Sequence, residues 1–191
     1  LEQQRELQDR ARRFAETSVK PVAHPYDQEE RHPHELIVRA RQEGLTEITI
    51  STEYGGRGLG VLELVLVAEQ LAWACAGFTA AACSSCSLAE PEAGSDVAAL
   101  TTRAERRGDV CIPSGHGRWI GNAPMASFFV VFAKTDPDAG CNGINVFVVG
   151  HESPRIVTQP LRELGQRAIS NGEIEFHDVV VPATDRIGGV V

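Results

Sequence analysis

Residues 86–97, Cys-Ser-Leu-Ala-Glu-Pro-Glu-Ala-Gly-Ser-Asp-Val, separate two different patterns of apolar spacing. Before this stretch, apolar residues recur every three or four positions, which is typical of amphipathic helices. After it, short apolar runs and alternating patterns are divided by Gly, Pro and Asn, which is typical of strands joined by turns. The sequence therefore predicts an α+β protein in which an α-helical unit, residues 1–83, precedes a mostly β unit, residues 84–191.

Three helices account for most of the first unit. Residues 7–19 place their apolar side chains on one face, and we expect Pro21 and Pro25 to end that helix. A second helix is predicted to begin near Pro33 and to stop at Gly44. Residues 61–76 are apolar on nearly every side, so this segment predicts a helix buried between its neighbours.

The second unit shows three strand patterns. Residues 128–132, Phe-Phe-Val-Val-Phe, form a continuous apolar run, as expected for a strand covered on both faces. Residues 144–149 are β-branched and aromatic between two glycines, which predicts another strand. Ile174, Phe176 and Val180 alternate with polar residues, which predicts a half-exposed strand with these three side chains inward.

Composition argues against several classes of partner and location. The 191 residues carry 26 acidic and 18 basic side chains, a formal net charge of −8. Nucleic acids and anionic lipids need a clustered basic face, so neither is an expected partner. No apolar run approaches the roughly 18–20 residues of a membrane span, and residues 1–19 are too charged for a signal peptide. Five cysteines, an odd number, indicate reduced thiols in a cytoplasm-like compartment.

Two short motifs have ordinary explanations. The glycines of residues 55–60 lack the spacing of a dinucleotide-binding loop, so we expect a connection between helices that uses positive φ angles. Cys83 and Cys86 form a C-x-x-C pair without the second pair that zinc requires, and the six histidines are scattered singly. We therefore predict no metal site, and spacing alone yields no catalytic arrangement.

Longer motifs carry a family resemblance. Residues 86–97 resemble the T-E-P-x-A-G-S-D signature that opens the middle domain of the acyl-CoA dehydrogenase family, and residues 119–122, Trp-Ile-Gly-Asn, are similar to its W-I-T-N flavin segment. Further similar segments follow the family's order along the whole chain: residues 53–60, 135–137, 164–167 and 176–182. On this collinear series the chain is identified as a member of that family.

The resemblance implies a fold and a reaction. The family has a helical N-terminal domain, a mainly antiparallel β-sandwich or barrel middle domain and a C-terminal four-helix bundle, with FAD between the last two. Its reaction is α,β-dehydrogenation of an acyl-CoA thioester in fatty acid metabolism, in which a glutamate removes the α proton and hydride passes to flavin N5. The resemblance also implies an electron-transfer flavoprotein as acceptor and a homodimer or homotetramer, in the bacterial cytoplasm or a compartment like the mitochondrial matrix.

Site residues follow from the matched motifs. The resemblance implies that Ser95 offers its hydroxyl to the substrate arm, that Gly94 permits close backbone approach and that the Trp119 ring lies against the isoalloxazine. The alternative for Trp119 is an ordinary core aromatic. The full set implied to bind the cofactor is Cys86, Ser87, Leu88, Ala89, Gly94, Ser95, Trp119, Ile120 and Gly121.

Departures from the family pattern bear on activity. Ala89 stands where the family has Thr, Gly121 where it has Thr or Ser, and Cys86 where an aromatic is common, so we expect weaker or altered flavin binding. The helices expected between Trp73 and Cys86 are shortened, and no residue matches the catalytic base, which belongs to the bundle. We expect this chain alone to be inactive. The alternatives are a non-catalytic partner subunit, a remnant of an enzyme, or an unrelated helix-plus-β-sandwich binding module.

Overall fold

The computed structural model describes residues 1–83 and 88–188. The chain forms two compact units, Leu1–Ser84 with Glu163–Ile169, and Ser85–Arg162 with Ser170–Val191. The predicted boundary between residues 83 and 84 adjoins the undescribed residues 84–87, so it stays a prediction. Among the described residues, no helix is both long enough and apolar enough to cross a membrane.

In the described part of the first unit, five α-helices follow one another: α1 Glu2–Phe14, α2 Lys20–Gln28, α3 His34–Gln42, α4 Val61–Ala74 and α5 Ala76–Cys83. Their inward faces form one apolar core, because the helices present side chains at helical spacing toward one another. Its buried members include Phe14, Val19, Leu36, Ile48, Val67, Leu71 and Phe78.

The expectation that Pro21 and Pro25 end the first helix is wrong. A π-helical turn, Ala15–Val19, follows α1 directly and leads into α2, so the helical path continues past both prolines. Pro21 lies in the first turn of α2, where its missing N–H is tolerated, and Pro25 lies inside the helix. The π turn supplies the break in hydrogen bonding that admits Pro21.

The predicted ends of α3 are confirmed. Pro33 lies at its N-terminal cap, and Gly44 follows its C-terminus with a φ of +69°. The following loop uses positive φ at Gly55 (+82°) and Gly58 (+63°), as predicted. At Gly56, a β carbon would collide with the carbonyl of Ile50.

The prediction that the third helix is buried between neighbours is wrong. In α4, Val67 and Leu71 are buried, but Val61, Leu62 and Val65 expose 69, 57 and 56% of their surface. Only one side of α4 packs into the core of the helical unit, so apolar composition all round does not give burial all round.

Within residues 88–188, eight strands build the second unit: β1 Arg103–Arg107, β2 Val110–Ile120, β3 Phe128–Lys134, β4 Ile144–Gly150, β5 Ile156–Pro160, β6 Gly172–Phe176, β7 Val181–Pro182 and β8 Arg186–Ile187. They pair in the order β5-β6-β2-β1-β3-β4-β8, with β7 also on β2. All pairs are antiparallel except the short contact between β1 and β3. The mainly antiparallel β unit is thus confirmed, as an open sheet rather than a closed barrel.

Strand burial differs from prediction in two places. The run 128–132 lies in β3 but is covered on one face: Phe129 is buried, whereas Phe128 is 48% exposed. In the segment after β6, Val180 is exposed, because Asp178 adopts a φ of +53° and shifts the alternation by one residue. The flanking Val179 and Val181 are buried instead.

The segment Glu163–Ile169 belongs to the helical unit although strands surround it in sequence. Arg167 holds it there, because its backbone N–H donates to Asp27 at 3.0 Å and its guanidinium donates to the same carboxylate at 2.7 and 3.2 Å. The Arg167 side-chain and backbone hydrogen bonds lower the pKa of Asp27, so the pair stays charged at neutral pH.

Neighbouring phenylalanines on opposite faces of β3 test the position of the core. Phe129→Ala is expected to lower the free energy of unfolding by about 3–5 kcal/mol, because it leaves a cavity in the β core. Phe128→Ala, the matched control on the exposed face, is expected to change it by less than about 1 kcal/mol. Urea unfolding followed by circular dichroism measures both, and equal losses would contradict this assignment of faces.

Candidate functional site

The turn of residues 88–95 is fixed by the buried side chain of Glu90. Only 6% of Glu90 is exposed. Its carboxylate accepts hydrogen bonds from the N–H and hydroxyl of Thr101 and from the N–H of Thr102, each at 2.7 Å. Backbone bonds between Glu90 and Ala93 close the turn itself. One carboxylate thus ties the turn to the residues immediately before β1.

The same contacts keep Glu90 ionised. Burial raises the pKa of its carboxyl, but the hydrogen bonds from Thr102 and Thr101 outweigh burial and hold the pKa below its ordinary value. A buried carboxylate without a cation is stable here because donors satisfy both of its oxygens. Glu90 is therefore a structural anion rather than a proton donor at neutral pH.

A second bond places the turn beside β2. The N–H of Arg118 donates to the carbonyl oxygen of Ala89 at 2.8 Å. Arg118 immediately precedes Trp119, so the turn lies next to the strand segment that carries the indole. The two motif segments, residues 88–95 and 119–122, therefore lie next to each other in the β unit.

Trp119 lies at an irregularity of the sheet and is exposed. Its φ is +62°, and the register between β2 and β6 shifts between Gly117 and Ile120, as at a β-bulge. The residue is 54% exposed, so the alternative of an ordinary core aromatic is wrong. A left-handed conformation costs a non-glycine residue about 1–2 kcal/mol, and such strain is concentrated at functional sites.

An ion pair steadies the strand next to the indole. Arg118 Nε lies 2.9 Å from Glu173 Oε1 on β6, and the Arg118 guanidinium carbon lies 5.2 Å from the centre of the Trp119 ring. The other oxygen of Glu173 lies 3.6 Å from His116 Nε2. The backbone N–H of Arg118 therefore contacts the turn, and its guanidinium contacts Glu173. The same guanidinium lies near the Trp119 ring.

The other predicted site residues differ in what they present. Gly94 and Ser95 are exposed, and a β carbon at Gly94 would meet open space. Leu88, Ala89 and Gly121 are half-buried. Ile120 points its side chain into the β core at 2% exposure, so only its backbone is offered to a ligand. Cys86 and Ser87 lie outside the described residues.

The site offers an aromatic surface for a flat cofactor but lacks two side-chain hydroxyls that could hydrogen-bond to it. It presents an exposed indole beside an anchored turn whose Gly94 and Ser95 are open, which suits stacking against an aromatic ring system. It offers no side-chain hydroxyl at Ala89 or Gly121, so polar contacts there would come from backbone groups or water. The site thus offers an exposed aromatic face and open backbone, with few side-chain hydrogen-bond donors.

Several residues of this site were missed by sequence reasoning. Thr101, Thr102, Arg118 and Glu173 were not singled out, and Glu90 appeared only as a letter of its motif. The signal that existed was a glutamate inside a turn, 11 and 12 residues before a Thr-Thr pair. The pairing itself depends on where the turn lies against β1 and β2.

Two family models match the chain. One, described as "Acyl-CoA dehydrogenase, N-terminal domain", matches residues 1–96, and the other, "Acyl-CoA dehydrogenase, middle domain", matches residues 85–179.

Curated relatives agree with these models. The short/branched chain specific acyl-CoA dehydrogenase of Bos taurus mitochondria is 32% identical over 217 residues, which cover 96% of this chain and 50% of the relative. The short-chain specific acyl-CoA dehydrogenase of Clostridium acetobutylicum is 33% identical over 211 residues, covering 93 and 55%. A 3-sulfinopropanoyl-CoA desulfinase of Paraburkholderia xenovorans is 31% identical over 214 residues, covering 93 and 54%. The chain spans about half the length of these relatives. Each alignment is longer than the chain's 191 residues because it includes gaps.

Solved structures show the same fold. A chain from the structure of an electron transferring flavoprotein of Acidaminococcus fermentans superposes with a TM-score of 0.94 at 26% identity, covering 99% of this chain and 58% of that one. A glutaryl-coenzyme A dehydrogenase in complex with glutaryl-CoA gives 0.93 at 28% identity, covering 99 and 57%. The butyryl-CoA dehydrogenase of Megasphaera elsdenii gives 0.91 at 25%, covering 97 and 58%.

Glu90 and its exposed neighbour Glu92 allow a matched test of the anchored turn. At pH 7, Glu90→Gln is expected to lower the free energy of unfolding by about 1–3 kcal/mol, because the amide leaves a buried donor without an acceptor. The folded pKa of Glu90 is lowered, so the carboxylate's stabilisation is present above the ordinary value of about 4.5 and is lost as pH falls through the folded pKa. The gap between wild type and variant should therefore narrow below pH 4.5.

Glu92→Gln is the control for that measurement and is expected to change stability by less than about 0.5 kcal/mol at each pH. Urea unfolding at pH 7, 5 and 3.5 would measure all three proteins. Equal behaviour of the two variants would contradict the anchoring role of Glu90.

Proposed function

The chain belongs to the acyl-CoA dehydrogenase family, and from this premise we propose that it forms the N-terminal and middle domains of an FAD-dependent acyl-CoA dehydrogenase. The observation that carries the proposal is the exposed, strained Trp119 beside the turn of residues 88–95. Both belong to the β unit, and the bond from Arg118 N–H to the Ala89 carbonyl joins their segments.

In the proposed reaction, this chain's own residues bind and orient the cofactor and the acyl-CoA. Trp119 offers the face of its indole to the isoalloxazine, and Gly94 lets the backbone approach closely. Ser95 donates its hydroxyl to the pantetheine arm of the acyl-CoA. When bound, FAD supplies the acceptor for a hydride from the β carbon of the acyl thioester. The base that removes the α proton is assigned to no residue of this chain.

Partners and location follow from the same premise. We assign electron transfer to an electron-transfer flavoprotein and infer that the active form is a homodimer or homotetramer. The proposed compartment is reducing, as in the bacterial cytoplasm or the mitochondrial matrix. Cys75, Cys111 and Cys141 are free thiols, which agrees with such a compartment.

A second candidate function rests on Ala89 and Gly121. Without hydroxyls at these positions, flavin loses two side-chain hydrogen bonds, each of about 0.5–1.5 kcal/mol. A family relative that has lost its flavin contacts would act as a non-catalytic partner subunit. The name of the desulfinase among the relatives states a reaction other than dehydrogenation.

Flavin binding tests the first candidate. The protein expressed from its complete reading frame is expected to bind FAD, with fluorescence titration giving the dissociation constant. Trp119→Ala should raise that constant about threefold to tenfold through lost aromatic contact. Trp73→Ala is the control, since Trp73 belongs to the helical unit, where it lies against Arg12 and Lys20.

The same titration separates the two candidates. Tight FAD binding, with reduction of an electron acceptor by an acyl-CoA, supports the dehydrogenase. If the wild-type protein does not bind FAD and the double variant Ala89→Thr with Gly121→Thr does, the result supports the non-catalytic subunit. Absence of binding in both proteins would overturn the flavin proposal for this chain.

A further inference from the structure

A cavity of about 360 Å³ opens where β1 and β3 meet, within the β unit. Its volume lies in the range of small-molecule sites. The residues that give its wall chemical character are Thr101, Arg103, Glu105, Lys134 and Thr135.

Two cations lie side by side on this wall. Arg103 and Lys134 are partners in the parallel register of β1 and β3, so their side chains leave the sheet on the same face. Within residues 1–83 and 88–188, no carboxylate forms an ion pair with either one. Like charges on neighbouring strands repel, so this pair weakens the sheet unless an anion lies between them.

The carboxylate on the wall is already engaged. Glu105 Oε2 lies 2.7 Å from the guanidinium of Arg107, which is two residues further along β1. That ion pair lowers the pKa of Glu105 and keeps it charged, so its charge is balanced by Arg107. The two remaining wall cations therefore make the cavity locally positive in a chain whose formal net charge is −8.

The cavity adjoins the site described above. Thr101 lines it, and the N–H and hydroxyl of the same residue donate to Glu90 at 2.7 Å. A ligand in the cavity would thus contact the segment that anchors the turn of residues 88–95.

We propose that this cavity binds a phosphate ester or diphosphate through Arg103 and Lys134. Arginine matches phosphate oxygens with a two-pronged set of N–H donors, and lysine adds a compact positive charge. The phosphate can belong to the CoA portion of a substrate, which rests on the proposed function, or to a separate phosphorylated molecule.

Calorimetry with inorganic pyrophosphate tests the site without flavin or turnover. Wild-type protein from the complete reading frame is expected to bind pyrophosphate, more weakly as NaCl rises. Arg103→Gln with Lys134→Gln should weaken binding at least tenfold, and Arg103→Lys should weaken it less. Arg106→Gln is the matched control, because it removes one charge from β1 outside the cavity and should leave affinity within twofold.

Two further probes identify the source of the phosphate. If CoA and 3′-dephospho-CoA lose affinity in the double variant by a factor similar to that of pyrophosphate, the cavity takes the diphosphate of CoA. A loss for CoA alone among these two assigns the 3′-phosphate. Unchanged CoA binding beside lost pyrophosphate binding assigns a separate phosphorylated ligand.

The proposal is overturned if wild type fails to bind pyrophosphate, or if the double variant, with an unchanged thermal melt, binds it within twofold of wild type. Failure to bind FAD would overturn the proposed function instead and would leave the pyrophosphate result standing.

Discussion

The buried carboxylate of Glu90 is the contact on which the candidate site depends. It accepts three hydrogen bonds from the Thr-Thr pair before β1, and the carbonyl of its neighbour Ala89 accepts one from Arg118 on β2. Without these bonds, an eight-residue turn rich in small and polar residues would have few contacts to select one conformation. With them, residues from both motif segments lie side by side on the β unit.

The indole is held by backbone geometry rather than by packing. Trp119 and Asn122 both adopt left-handed conformations, with φ of +62° and +59°, around the register shift of β2. The ion pair between Arg118 and Glu173 holds the strand within the shift, and buried Ile120 holds it where regular pairing resumes. The left-handed backbone at Trp119 costs stability and leaves the indole exposed. Such a cost is expected at a residue that binds a ligand.

Sequence patterns predicted local features and missed tertiary ones. Pro33 and Gly44 marked the ends of α3, because capping chemistry is local. The exposed face of α4 could not be read from its apolar composition, since exposure depends on which neighbours are present. The motifs indicated the turn and Trp119, but the bonds from Glu90 to Thr101 and Thr102 follow only from how the turn packs. The cationic pair of Arg103 and Lys134 likewise joins residues 31 positions apart through strand pairing.

Amide hydrogen exchange at Arg118 tests the central claim most directly. Its N–H is the donor that joins the strand of Trp119 to the turn, so we predict slow exchange in the wild-type protein and fast exchange in Glu90→Gln, with Glu92→Gln like wild type. Exchange at the rate of an unprotected amide in the wild type, or protection unaffected by Glu90→Gln, would contradict the account.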